Sequence, residues 1–217
     1  MGFFVRFGCG AALLVAFLVG AWAETPAPTR TYEQWVAMAE ASDPAVDWTA
    51  LRQAYVHSPS YDGYGGGWRA AGDDLVKALN GHNCAEAVRV SEAILKADFT
   101  YPLVHVALGN CHRKAGETAA AQREYTIFEG LTGSILASGD GTSVAKAYVV
   151  VTMAEERFVL MHFDVMEAGQ ALIIKDGHNY DRIDGVNPTT GEKKQVYFNV
   201  DAMFGSLTRK LGHDKQE

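Results

Sequence analysis

The sequence predicts an α+β protein in which N-terminal helical hairpins are followed by a small antiparallel β-sheet and a C-terminal helix. Two observations carry this. Apolar residues recur every three to four positions from Trp35 to about Leu136, the period of helices with one buried face. After Ser138 the pattern changes to short runs rich in β-branched and aromatic residues, separated by turn signals such as Asp176-Gly177.

The chain begins MGFFVRFGCGAALLVAFLVGAWA, with Arg6 as its one charge, an apolar core and Ala21-Trp22-Ala23 as a small-residue cleavage site. Residues 1–23 therefore read as a secretory signal peptide cut after Ala23, which implies a periplasmic or secreted protein with no stable membrane anchor once the signal is removed. Cys9 precedes the apolar core, too early to be a lipid acceptor. Loss of Arg6 takes the formal net charge from -7 to -8. An acidic chain without a basic tract is a poor ligand for nucleic acid.

Residues 24–46 form a leader and a first helix, opened by the capping-box spacing Thr31-Tyr-Glu-Gln34 and carrying Trp35, Val36 and Met38. The helical region proper spans 47–137. Asp47 is the N-cap candidate of the next helix, which carries Trp48, Leu51 and Tyr55. The stretch SPSYDGYGGGWR, Ser58 to Arg69, then breaks the pattern, because its glycines are too costly inside a helix. Leu75, Val76 and Leu79 mark a helix ended by Asn80-Gly81, and Asn83 with Glu86 caps the one after it. The segment PLVHVALGNCHRKAGETAAAQREYTIFEGL fits a tetratricopeptide-like register. Leu108-Gly109 takes the leucine-glycine position of the first helix, Gly116 the inter-helix turn, Ala121 the small contact position and Tyr125 the large residue of the second helix. In that register Cys84 and Cys111 fall at neighbouring ends of antiparallel helices, which predicts a disulfide, with two buried thiols as the alternative.

Residues 138–217 supply the sheet and the last helix, expected to pack as one unit with the helices. AYVVVT, RFVLMHFDV, QALIIK, HNYDRIDGV and KKQVYFNV read as five strands, linked shortly enough to be antiparallel throughout. Residues Ala202 to Leu211 read as a helix offering Met203, Phe204, Leu207 and Leu211 to one face.

Taken in order and spacing, YDGYGGGW, FEGLTGSILASGDGTS, AYVVVT, GQALI and VYFNVD resemble the bacterial envelope family catalogued as domain of unknown function 4919, over roughly Asp47 to Leu211. The resemblance implies an exported protein of helical-repeat units fused to a small sheet. It defines no catalytic residue and no cofactor.

The residues themselves offer few chemical sites. Tyr61, Tyr64 and Trp68 could form a stacking platform for a peptide, a glycan or a small ligand, or could instead tuck into the core. Asp140, within SGDGTS, could take part in an ion site or simply belong to a tight junction between helix and sheet. His162 and Asp164 alternate onto one strand face in this reading, with His178 and Asp181 near the next hairpin; adjacent strands could assemble a metal or acid-base pair from them, but they read better as solvent-facing strand polars. The sequence contains no H-E-x-x-H, G-x-S-x-G, phosphate loop or paired metal cysteines, so no catalytic, cofactor or metal residue is assigned. The expected function is a non-enzymatic module that binds an envelope protein or peptide. The alternatives are a hydrolase or metal-dependent enzyme acting on envelope material around Asp140, His162 and Asp164, and a small-ligand sensor using the aromatic loop.

Overall fold

A computed structural model of the chain describes residues 30–66 and 69–206. The segment read as a signal peptide, 1–23, together with Trp68 and residues 207–211 of the expected C-terminal helix, lies outside the described residues. Seven helices precede or interrupt the sheet: α1 Tyr32–Glu40, α2 Trp48–Val56, α3 Arg69–Asn80, α4 Cys84–Ala97, α5 Pro102–Lys114, α6 Thr118–Leu136 and α7 Met153–His162. The strands are β1 Tyr148–Val149, β2 Met166–Lys175, β3 His178–Val186 and β4 Lys193–Asn199, and residues 201–206 are helical. This is the α+β architecture expected. None of the described helices is long and apolar enough to cross a membrane.

The helices start where side chains can satisfy their first amides. Thr31 and Gln34 form a reciprocal capping box on α1, Asp47 accepts from the Ala50 amide, and Asn83 accepts from the Glu86 amide. The hairpins α3–α4 and α5–α6 then close on small residues. A Cβ built on Gly109 would lie 2.6 Å from the Tyr125 ring, so α5 and α6 approach as closely as they do only because position 109 has no side chain. Leu75, Ala87, Val90, Ile94, Val104 and Leu108 fill the core of these hairpins, while Trp35, Leu51, Ile127 and Leu131 fill a second core where α1 and α2 meet α6.

Cys84 and Cys111 are joined in a disulfide with their Cα atoms 5.4 Å apart, tying the start of α4 to the end of α5. The bridge closes a loop with a sequence separation of 27 residues. The Cys84→Ser/Cys111→Ser double variant is expected to lose about 3 kcal/mol of stability on the chain-entropy scale. Urea midpoints of the parent and the variant check this, and equal midpoints would show that packing alone holds the two helices.

Two expectations about the sheet are corrected. First, RFVLMHFDV is not a strand: Met153–His162 is helix α7, capped by Thr152, which accepts from the Glu155 amide. Ala154, Glu155, Glu156, Phe158, Val159 and Leu160 are all buried. The helix is thus wrapped on nearly every side, and its sequence shows no polar face from which a helical period can be read.

Second, the sheet is mixed, in the order β1-β4-β3-β2. Strands β2, β3 and β4 form the expected antiparallel meander, but β1 runs parallel to β4, with Tyr148 opposite Phe198. The chain leaves β1, passes through α7 and only then enters β2, so β1 returns to the sheet as a crossover partner. AYVVVT contributes only two strand residues because side chains take over its remaining backbone groups. The Val149 carbonyl accepts from Arg52, the Val151 amide donates to Glu155, and the Val151 carbonyl accepts from Tyr61. The inner sheet face buries Ile183, Val196 and Phe198 against Phe158 and Val159 of α7 and Ile135 of α6.

Candidate functional site

The glycine-aromatic loop after α2 is anchored at two points. The Tyr61 hydroxyl donates to the Val151 carbonyl at 2.6 Å, and its ring meets Tyr55 edge-on at 5.2 Å. The Gly63 carbonyl accepts from the Met153 amide at 2.8 Å, at the first turn of α7. A Cβ on Gly63 would lie 2.6 Å from the Tyr61 hydroxyl oxygen and 2.9 Å from Met203, so a side chain there would push the loop off the sheet layer. Tyr61 is thereby a core residue, whereas Tyr64, next along, borders a cleft. Trp68, the third ring of the proposed platform, lies outside the described residues.

This cleft, about 420 Å³, opens between the loop, α7, the β2–β3 hairpin and the helix over 201–206. Tyr64, Phe204, Met153 and Met203 line it, with Leu172 and Val200 completing the apolar part. Its polar side is Asp181 and Gln170, joined by a hydrogen bond from Gln170 Nε2 to Asp181 Oδ2 at 2.6 Å. Asp181 shares a sheet face with Ile183 and Phe198 and is only 7% exposed. Burial pushes its carboxyl up, the Gln170 hydrogen bond opposing and the Glu167 charge adding to the shift. Burial and the charge of Asp181 push the Tyr64 phenol up as well.

Glu156 lies on α7, one turn beyond Met153, and does not line the cleft. It is 2% exposed, and its Oε2 has no hydrogen-bond partner among the described residues. Burial raises its pKa to about 8, with Asp181 and Glu167 adding to the shift and Arg157 opposing it. Carboxylates from α7, β2 and β3 therefore converge on one region. No Lys or Arg makes a salt bridge to Glu156, Asp181 or Glu167 among the described residues.

A second polar centre is structural. Arg52, from α2, donates from Nε and Nη2 to the two oxygens of Glu155 at 2.7 Å each, from Nη2 to the Val149 carbonyl and from Nη1 to Ser134. Both partners are buried and every oxygen of Glu155 is engaged, which leaves no group to act on a ligand. His105 is likewise a packed core ring, held between Glu124 and the Phe99 carbonyl.

The residues of the enzyme alternative do not form a site. Asp140 accepts from the Thr142 amide and hydroxyl and pairs with Lys146 at 3.1 Å, so it belongs to a closed junction turn, with its carboxyl pulled down to about 2 chiefly by those Thr142 hydrogen bonds. His162 ends α7 and Asp164 occupies the following turn at φ 51, both exposed. They do not alternate along a strand, because that segment is a helix and a turn. His178 pairs with Asp201, holding the start of β3 to the start of the last helix. No group of three or more His, Cys, Asp or Glu placed to hold a metal ion occurs among the described residues.

Sequence reasoning missed Gln170, Met153 and Glu156. It reads Asp181 as a solvent-facing strand residue, whereas the strand register turns it to the buried face. One signal was available: Asp181 alternates in phase with Ile183 on β3, which puts an acid on the apolar side of the strand.

The family model described as domain of unknown function (DUF4919) matches residues 37–209. The chain therefore belongs to that family, as its motifs suggested. No curated protein and no solved structure matches it.

Proposed function

We propose that this DUF4919 protein is an exported, non-enzymatic module of the bacterial envelope that binds an extended segment of another protein along strand β2. The observation that carries this reading is the state of the two sheet edges. At one edge, β1 is only two residues long. At the other, β2 is ten residues long, contains no proline, and pairs only with β3 among the described residues.

Its Leu172 and Ile174 lie on the same sheet face as buried Asp181 and Ile183, yet they are 47% and 71% exposed. Natural sheets usually blunt such an edge with charge, proline or a covering element. Here one lysine ends the strand and a bulge between Glu167 and Gly169 bends its start, while the middle stays open. An added strand would satisfy the outer backbone groups of β2 and cover the apolar ledge. Export rests on the signal peptide read in residues 1–23, and the disulfide accords with it.

A photo-crosslinking residue placed at Ile174 in the native host tests the reading, with Val76 of α3, an exposed apolar residue outside the sheet, as the comparison position. A discrete adduct from position 174 that disappears with Leu172→Lys is expected. Adducts that form equally at 76, or no adduct at 174, would overturn edge binding.

A further inference from the structure

We propose that the cleft beside β2 is a binding site for a primary ammonium or guanidinium group carried on an aliphatic stem. The inference stands on the cleft itself. It rests on the edge-strand reading only in naming the source, a lysine or arginine side chain of the bound segment.

The polar end of the cleft is Asp181: Gln170 holds its Oδ2, and its Oδ1 accepts no hydrogen bond among the described residues, while Glu156 does not line the cleft and couples to it through the charge of Asp181. A buried acceptor without a partner is costly unless a donor reaches it. No cationic side chain forms a salt bridge to these acids among the described residues, which leaves the acceptor of Asp181 open to a cation or a strong donor. The remaining walls argue for an organic cation. Met153, Met203 and Leu172 suit an alkyl stem, and the Tyr64 and Phe204 rings border the same space, where aromatic faces attract a cation. A hard metal ion instead requires about six oxygen ligands, which these apolar walls do not supply. The volume, about 420 Å³, is that of a pocket for a side chain or small molecule. Leu172 links the two features, since it lies on the edge strand and lines the cleft. A peptide strand added to β2 would bring alternate side chains within reach of the opening.

The groups facing Glu156 are Asp181 on β3, Glu167 on β2 and Arg157 on its own helix, and Tyr64 faces Asp181 from the loop. Burial with these acids keeps Glu156 protonated near neutrality. A cation in the cleft favours the ionised form, so binding releases a proton and is tighter at pH 8.5 than at pH 6.

The test uses the purified protein labelled with ¹³C at its methionine methyls, which places probes at Met153 and Met203. Agmatine and a short lysine- and arginine-containing peptide are titrated, with N-butylacetamide as a neutral control. Saturable shifts at both methyls are expected for the two cationic probes and not for the amide. Asp181→Asn, which keeps the shape, is expected to weaken agmatine at least about tenfold, by removing a charge-assisted contact. Asp140→Asn is expected to leave it unchanged. A peptide that binds more tightly than agmatine assigns the site to a protein side chain, and equal binding assigns it to a free small cation. In the second case the cleft stands while the edge-strand reading loses its support. Absence of saturable shifts with both cations, an equal response to the amide, or unchanged agmatine affinity in Asp181→Asn overturns the proposal.

Discussion

Arg52→Ala is expected to lower the stability of the protein by about 3–5 kcal/mol, the range seen when one partner of a buried ion pair is removed. Three losses combine. The carboxylate of Glu155, fully buried, is left without its two charge-assisted hydrogen bonds. The Val149 carbonyl in β1 loses its side-chain donor, and the Ser134 hydroxyl on α6 keeps only the bond from Thr49. The guanidinium stem also vacates a closed space between α2, α6 and the start of α7. Urea denaturation of the parent and the variant at pH 7 measures the effect. Arg52→Met with Glu155→Gln removes both charges at similar volume and is expected to recover most of the loss, because the cost arises from the orphaned charge rather than from the pair's absence. If the double variant is no more stable than Arg52→Ala, the pair acts by its directed hydrogen bonds to Val149 and Val151.

The network also explains what could and could not be read from the sequence. The helical hairpins were legible because caps and small-residue contacts are local. Thr31, Asp47 and Asn83 sit within three residues of the amides they satisfy, and Gly109 needs space only for a ring sixteen positions away in a recognised repeat. The β2–β3–β4 meander was legible for the same reason, since its turn residues and its alternation lie within the strands. Helix α7 was not. It is buried on most sides, with only Arg157, Met161 and His162 exposed, and its aromatic and β-branched residues are those of a strand, so only the cap Thr152 and the acids Glu155 and Glu156 distinguish the two. Once α7 was read as a strand, Glu155 and Glu156 became incidental polar residues and His162 appeared to share a face with Asp164. The cleft was legible only at Tyr64. Its other groups come from segments that meet through long-range pairing: Asp181 and Leu172 face each other in the β2–β3 register, and Met153 is brought in by the bond its amide donates to the Gly63 carbonyl of the loop.

The protein is expected to lose stability as pH rises from about 5 to about 8, a direction set by two buried carboxyls. Asp98 is fully buried between α4 and α5; its Oδ1 accepts from the Thr100 amide and hydroxyl, and its Oδ2 has no partner among the described residues. Burial raises its pKa from 3.8 to about 7, with the Glu155 charge adding and the Thr100 hydrogen bonds opposing. Glu156 is raised from 4.5 to about 8 by burial with Asp181 and Glu167. Between their ordinary and raised values each group holds a proton in the folded state and releases it in the unfolded chain. The unfolded state then binds fewer protons, so the slope of unfolding free energy against pH is negative, at about 1.4 kcal/mol per pH unit for each group. The loss begins as pH passes the ordinary carboxylate values and levels off above the raised ones. Groups shifted the other way, such as Asp140 at about 2, contribute stability that is present above their ordinary values and fails only in stronger acid, outside this window. Urea unfolding of the parent, Asp98→Asn and Glu156→Gln at pH 5, 7 and 8.5 separates the contributions. Each amide variant is expected to match the parent near pH 5 and to exceed it at pH 8.5, with the two gains additive because neither carboxyl contributes to the shift of the other. A parent and a Glu156→Gln variant with parallel pH profiles would show that Glu156 ionises freely in the folded protein, and the cleft would then carry its negative charge at neutral pH without a proton to release.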